Sequence, residues 1–215
     1  MNNITNHSKQ TVKWENACIK TRRNLGKREK RLSIFKINKK QKVLDLGCGD
    51  GLNITILKKM GIRNIVGVDI SGKLIKEAKR LNPNVKFYTA SSEKLPFGSE
   101  SFDIVLVDSV FHHLMNYEKS LLEINRVLNP KGQLCFIEPH NSLLRSVYDR
   151  VCEMSLSKYV PFLKNRRDSY LGEINFMKHW LETEEMFYSN LEKFGFKKIV
   201  KRVDVLSIVG IYKKT

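Results

Sequence analysis

From residue 43 onward, short apolar runs alternate with amphipathic stretches. The runs at 43–46, 64–69, 85–89, 102–108 and 133–138 are strand-sized and rich in Val, Ile, Leu and Phe, as expected of strands buried on both faces of a parallel sheet. Between them the spacing turns helical. Leu52, Ile56, Leu57 and Met60 follow the first run, and a helix is expected over about 72–81 after the second. At 115–128, Leu121, Leu122, Ile124, Val127 and Leu128 keep a stripe until Pro130-Lys131-Gly132 stops it. A further helix at 183–194 is closed by Gly195, and strands at 196–204 and 206–212 follow. Alternating β and α units predict one α/β domain with right-handed crossovers. Two amphipathic segments are extra to it. One spans about 11–36, with Trp14, Cys18, Thr21, Leu25 and Leu32 on one side. The other, 140–182, carries Leu143, Leu144, Val147, Tyr148, Val151, Cys152 and Tyr159 at helical spacing, a stripe that packs on the sheet domain, lines an apolar acceptor pocket or touches a membrane. Ligands of open α/β sheets sit outside the carboxyl ends of the strands, so both segments are expected to form helical lids there.

The first run leads directly into Asp45-x-Gly47-x-Gly49-x-Gly51. Glycines at this spacing allow positive φ and let a ligand approach the backbone closely. Asp69 ends the second run 22 positions after Gly47, about the separation at which α/β nucleotide folds present an acid to ribose hydroxyls. A dinucleotide turn would need its third glycine where Leu52 stands, and no Gly-Lys-Ser/Thr follows to make a phosphate loop.

Charge divides the chain. The net charge is +17, of which residues 1–42 carry +11 (13 Lys/Arg against 2 Asp/Glu), residues 43–140 +1 and residues 141–215 +5. A basic helical lid (1–42) and a site-bearing domain (43–215, with a helical insertion at about 140–182) are therefore the expected organisation. The arm is either a solvated face or a surface for RNA phosphates, an anionic membrane or an acidic substrate. Cys18, Cys48, Cys135 and Cys152 form no C-x-x-C pair, which predicts buried thiols in a reducing, cytoplasmic compartment. The amino-terminal residues lack an apolar signal core, and no run is long enough to span a membrane.

The glycine turn resembles motif I of class I S-adenosylmethionine (SAM) methyltransferases. Ala90-Ser91-Ser92-Glu93-Lys94-Leu95-Pro96-Phe97, Phe102 to Asp108 and Leu121 to Gly132 resemble the successive signatures of the ubiquinone/menaquinone-biosynthesis type (methyltransferase type 11). The resemblance covers Val43 to about His140. It implies a Rossmann-like α/β sandwich with a seven-stranded, mostly parallel sheet whose last strand is antiparallel. It implies SAM as cofactor, held by Asp45, Gly47, Gly49 and Gly51 at its methionine and ribose parts. Asp69 would take the ribose hydroxyls, with Ile70 beside it, and Ser91 and Ser92 would lie at the adenine. Ser91 stands where many members carry Asp, and a hydroxyl accepts more weakly than a carboxylate. Trp14 sits where relatives often close an aromatic residue over SAM, and core packing is the alternative role for it.

Methyl transfer is an in-line displacement, so positioning supplies most of the catalysis, and a base is needed where the acceptor is a hydroxyl or a protonated amine. Asp108, His112 and His113 follow the fourth strand, with Glu138 and His140 at the end of the fifth. Asp108 is a candidate for the SAM amino group or the acceptor. His112 is the preferred proton acceptor, with His113 second, and no metal is expected. The Asp/Asn-Pro-Pro-Tyr/Phe signature of many base methyltransferases is absent after the fourth strand. The reading is methyl transfer to an O, N or C nucleophile of a small, partly apolar molecule. The competing readings are an RNA (tRNA) methyltransferase using the basic arm, and a catalytically silent SAM-binding subunit.

Overall fold

The apolar runs become β1 (Val43–Leu46), β2 (Ile65–Asp69), β3 (Lys86–Thr89), β4 (Phe102–Asp108), β5 (Leu128–Pro139), β6 (Phe196–Val203) and β7 (Ser207–Lys214), paired in the order β3-β2-β1-β4-β5-β7-β6. Strands β1 to β5 run parallel, and β7 is antiparallel to both β5 and β6. The helices are α1 (Leu25–Ser33), α2 (Leu52–Lys59), α3 (Gly72–Leu81), α4 (Glu118–Val127) and α5 (Pro161–Lys193), with a 3-10 turn at Phe111–His113. This computed structural model describes residues 25–140, 142, 145, 147, 149–151, 161–204 and 206–215, and the side chains of α5 from residue 174.

Each face of the sheet is covered by helices, which is why the central strands are apolar throughout. On one face Leu44, Val105, Val107, Leu134 and Phe136 pack with Leu121, Ile124 and Val127 of α4 and Met177, Trp180, Phe187 and Leu191 of α5. On the other, Val43, Ile104, Leu106 and Ile137 pack with Ile54, Ile56 and Leu57 of α2 and with Ile75 and Ala78 of α3. Leu32 of α1 and Phe35 belong to this second core, at 0% and 3% exposure. The basic segment is thus fastened to the sheet domain by two buried side chains, each contributing about 1.5–3 kcal/mol.

The elements depart from the sequence pattern in three places. The helix expected at 115–128 spans Glu118–Val127. Leu128 already belongs to β5, pairing with Phe102 before a register shift lets Gln133 pair with Ile104. The helix expected at 183–194 begins at Pro161, so it absorbs part of the insertion. Proline is tolerated there because the first helical N–H has no partner in any case. Of the amino-terminal helix, Leu32 is buried while Leu25 is 38% exposed; Trp14, Cys18 and Thr21 lie outside the described residues. Of the stripe in the insertion, Val147 is 59% exposed and Val151 part-buried. Leu143, Leu144, Tyr148, Cys152 and Tyr159 lie outside the described residues. Cys48 and Cys135 are buried free thiols, and Cys18 and Cys152 are not described. Among the described residues no helix is long and apolar enough to cross a membrane.

Candidate active site

The glycine turn stands at the carboxyl end of β1, between β2 and β4. Gly47, Gly49 and Gly51 all have positive φ, at 71°, 55° and 79°. Two of them are also fixed by packing. A Cβ on Gly47 would collide with the side chain of Val110, and one on Gly51 would come within 3.0–3.1 Å of Asn82 and Ala78 of the α3 end. Glycine at these positions therefore serves the docking of neighbouring segments as much as the approach of a ligand. Gly49 N–H donates to Asp69 Oδ2 (2.9 Å) and Ser71 N–H to Asp69 Oδ1 (2.8 Å), so the backbone aims this carboxylate before any ligand arrives. Ser71 in turn caps α3, accepting from Leu74 N–H at 3.2 Å. Ile70, directly after Asp69, is 76% exposed and offers an apolar surface at the same strand end.

Three carboxylates converge on this edge. Asp45 is fully buried and neither of its oxygens has a hydrogen-bond partner. Burial, reinforced by the negative charge of Asp108, pushes its pKa up to about 8, while the Arg28 guanidinium acts against the rise. Asp108 accepts from Arg28 Nη1 (2.8 Å), Asn53 Nδ2 (3.3 Å) and Ser109 Oγ (3.0 Å), and Arg31 Nη2 lies 3.8 Å away. Arg28 Nη1 also donates to Asn53 Oδ1 at 2.7 Å. A buried, unsatisfied carboxylate is costly unless a cation or donor meets it, so this edge fits a ligand with a sulfonium and an ammonium group. Arg28 and Asn53, which the sequence pattern did not single out, complete this polar group.

Ser91 and Ser92 follow β3 at the same edge, where Ala90 N–H donates to Asp69 O at 3.1 Å. Ser91 Oγ accepts from Glu93 N–H (3.2 Å), and the Ser92 hydroxyl pairs with that of Ser120 on α4 (2.8 Å). Ser92 therefore ties the loop to α4.

A second group of polar side chains lies toward β5 and α5, and Glu138 organises it. Its Oε1 accepts from Val110 and Phe111 N–H, both at 2.8 Å, and its Oε2 lies 2.7 Å from His112 Nδ1. An ionised carboxylate only accepts, so Nδ1 then carries the hydrogen and the lone pair of neutral imidazole is on Nε2. His112 is 3% exposed; its ring centroid lies 4.1 Å from that of His113, which in turn touches Phe176 of α5 at 5.8 Å. Just past the end of β5, His140 Nδ1 lies 3.4 Å from Glu184 Oε2. Tyr117 Oη and Thr183 Oγ1 are 2.6 Å apart, and Trp180 Nε1 donates to Pro139 O at 2.8 Å. The sequence placed Glu138 and His140 at this strand end. Glu184, some 44 residues on, carried no local signal. Among the described residues no group of three His, Cys, Asp or Glu could hold a metal ion.

Comparison with known proteins agrees with this geometry. Residues 44–136 match the family described as Methyltransferase domain. The ubiquinone/menaquinone biosynthesis C-methyltransferase UbiE of Methylococcus capsulatus is 31% identical over 175 residues, covering 74% of this chain and 68% of that protein. Among solved structures, the PH0226 protein of Pyrococcus horikoshii superimposes with a TM-score of 0.63 at 25% identity, covering 91% of this chain and 93% of its own. A SAM-dependent methyltransferase of Aquifex aeolicus shares the fold, with a TM-score of 0.63 at 21% identity over 87% of this chain and 89% of its own. The glycine turn, the carboxylates around it and this kinship agree, and the chain belongs to the class I SAM-dependent methyltransferases of the ubiquinone/menaquinone-biosynthesis type.

Proposed function

We propose that the protein methylates a small, partly apolar acceptor of the quinol type at a ring carbon, and that His112 receives the acceptor's proton. The printed name of the Methylococcus relative, a C-methyltransferase of ubiquinone/menaquinone biosynthesis, supports the acceptor class. The observation that carries the catalytic part is the 2.7 Å contact between His112 Nδ1 and Glu138. A carboxylate that holds an imidazole in one tautomer also stabilises the imidazolium formed when Nε2 takes a proton. Taking the hydroxyl proton of a quinol makes the ring carbon beside it nucleophilic. The new carbon–methyl bond forms as the sulfur–methyl bond breaks, and the ring hydrogen leaves as a proton. SAM, when bound, supplies an electrophilic methyl group.

In this reading Asp69 receives the ribose hydroxyls, since a carboxylate oxygen accepts more than one hydrogen bond. Ile70 packs on the adenine, Ser91 faces its amino group, and Asp45 with Asp108 meets the ammonium end. The test is release of S-adenosylhomocysteine (SAH) from SAM with a reduced dihydroxynaphthalene under anaerobic conditions. Release with the methyl on ring carbon is expected, and methylation of a transfer RNA instead would overturn the acceptor assignment.

A further inference from the structure

Methylation at the ring carbon of a quinol moves a proton twice, first from the hydroxyl and then from the carbon. His112 still holds the first when the second must leave, so one imidazole cannot take both. The same half of the edge carries a second imidazole beside a second carboxylate. His140 stands just past β5, two residues after the Glu138 that holds His112. Its N–H donates to Leu206 O at 3.2 Å, and the preceding carbonyl, Pro139 O, accepts from Trp180 Nε1 at 2.8 Å, so the chain is clamped on both sides of this residue. His140 Nδ1 is buried without a hydrogen-bond partner, and Glu184 Oε2 of α5 lies 3.4 Å from it. The His140 side chain as a whole is 24% exposed, so the ring buries its Nδ1 edge and offers the Nε2 edge outward. A proton arriving on Nε2 puts an N–H on both nitrogens and a positive charge opposite Glu184, which satisfies the orphaned atom and the carboxylate together. The strand pairing brings the two imidazoles to one place. Asp108 of β4 pairs with Ile137 of β5, and paired strands lie about 4.8 Å apart, so His112 and His140 leave neighbouring strand ends.

We infer that His140 takes the proton from the ring carbon, with Glu184 opposing the charge it gains. This rests on the acceptor class proposed above. The hydroxyl proton passes to His112 as the ring carbon bonds to the methyl group, leaving a dienone whose sp³ carbon bears both methyl and hydrogen. The carbon–hydrogen bond then breaks, its electron pair returns to the ring, and the proton goes to His140 Nε2. The phenolate so restored regains a proton from His112, and one proton in net leaves by way of His140.

Single-turnover reactions with a dihydroxynaphthalene tritiated at the carbons beside its hydroxyls, kept reduced, read the two steps apart. SAH formation reports the methyl transfer, and tritium appearing in water, above the exchange seen without SAM, reports loss of the ring hydrogen. In wild type the two should keep pace. In His140→Gln, SAH should form in the first turnover within about threefold of the wild-type rate. Tritium release should lag it by at least about tenfold and limit steady-state turnover, as for a lost proton acceptor. Glu184→Gln should show a smaller lag of the same kind, and it decides the matter on the same two readouts if His140→Gln does not fold. Tritium release that keeps pace with SAH in the variants would overturn the inference alone, and so would equal slowing of both steps, the mark of a structural role. Failure of wild type to form SAH with this acceptor would overturn the acceptor class and the inference with it.

Discussion

The two halves of the carboxyl edge hold their key polar groups by different means: backbone amides and an arginine on one side, a carboxylate–imidazole pair on the other. Toward β1 and β2, Asp69 is aimed by backbone amides, and Asp45 is buried with no hydrogen-bond partner. Toward β5 and α5, His112 is held by Glu138 and Tyr117 by Thr183, while His140 Nδ1 and His179 Nε2 are buried without a hydrogen-bond partner. The first half is built to be completed by a charged ligand of fixed structure. In the second, the His112–Glu138 pair is preset so that a proton can be received without a charge appearing in isolation. The proposed function divides the labour accordingly, with cofactor affinity on one side and acceptor chemistry on the other.

The strongest way to break this picture is to remove what holds α1 against the first half. A chain shortened by residues 1–24 keeps Leu32 and Phe35 and should fold normally. One shortened by residues 1–36 loses both from the second core, at a cost of about 3–6 kcal/mol in denaturant unfolding. Equal stability of the two would show that α1 is only laid over the sheet.

On the other half, His112→Ala should lower the methyl-transfer rate about 10²–10⁴-fold, the range for a lost general base. A loss below about tenfold would give His112 a packing role and shift suspicion to His113. Asp69→Ala leaves the N–H groups of Gly49 and Ser71 without this acceptor. It should weaken SAH by about 1.5–3 kcal/mol in calorimetry, as for a charge-assisted bond.

These halves were unequally legible. The turn and Asp69 lie within one short stretch, where a strand-sized run, three glycines and an acid at fixed distance report a local geometry. The pairings of the second half join residues far apart in the chain, such as His112 with Glu138, and no local pattern encodes them. Arg28 escaped for the same reason, since a basic residue in a basic segment gives no sign that it turns inward onto Asp108, 80 positions away. The start of β5 escaped because Leu128 continues the helical stripe, and only its pairing with Phe102 makes it a strand residue.

The protonation of Asp45 sharpens the first half alone. Asp45 has its pKa raised from 3.8 to about 8 by burial and neighbouring carboxylates. A raised pKa means that the folded state holds the proton more tightly. The stability this contributes is fully present below about pH 3.8 and is lost as the pH rises through about 8. Asp45→Asn should flatten that slope in unliganded protein. A cationic ligand favours the ionised form, so SAM binding near pH 7 should release up to about one proton. Calorimetry in buffers of different ionisation enthalpy should detect this in wild type and not in Asp45→Asn. An unchanged proton count in the variant would mean that the ammonium group sits elsewhere.

The most direct test sets the two halves against each other in Asp69→Ala, His112→Ala and the double variant. SAH affinity and the single-turnover rate at saturating SAM would be measured on each. Separate halves predict that SAH affinity falls only where Asp69 is changed and that the saturated rate falls only where His112 is changed, with the double variant showing both losses unaltered. If His112→Ala weakens SAH as much as Asp69→Ala does, or Asp69→Ala slows the saturated step as much as His112→Ala does, the edge is one undivided site.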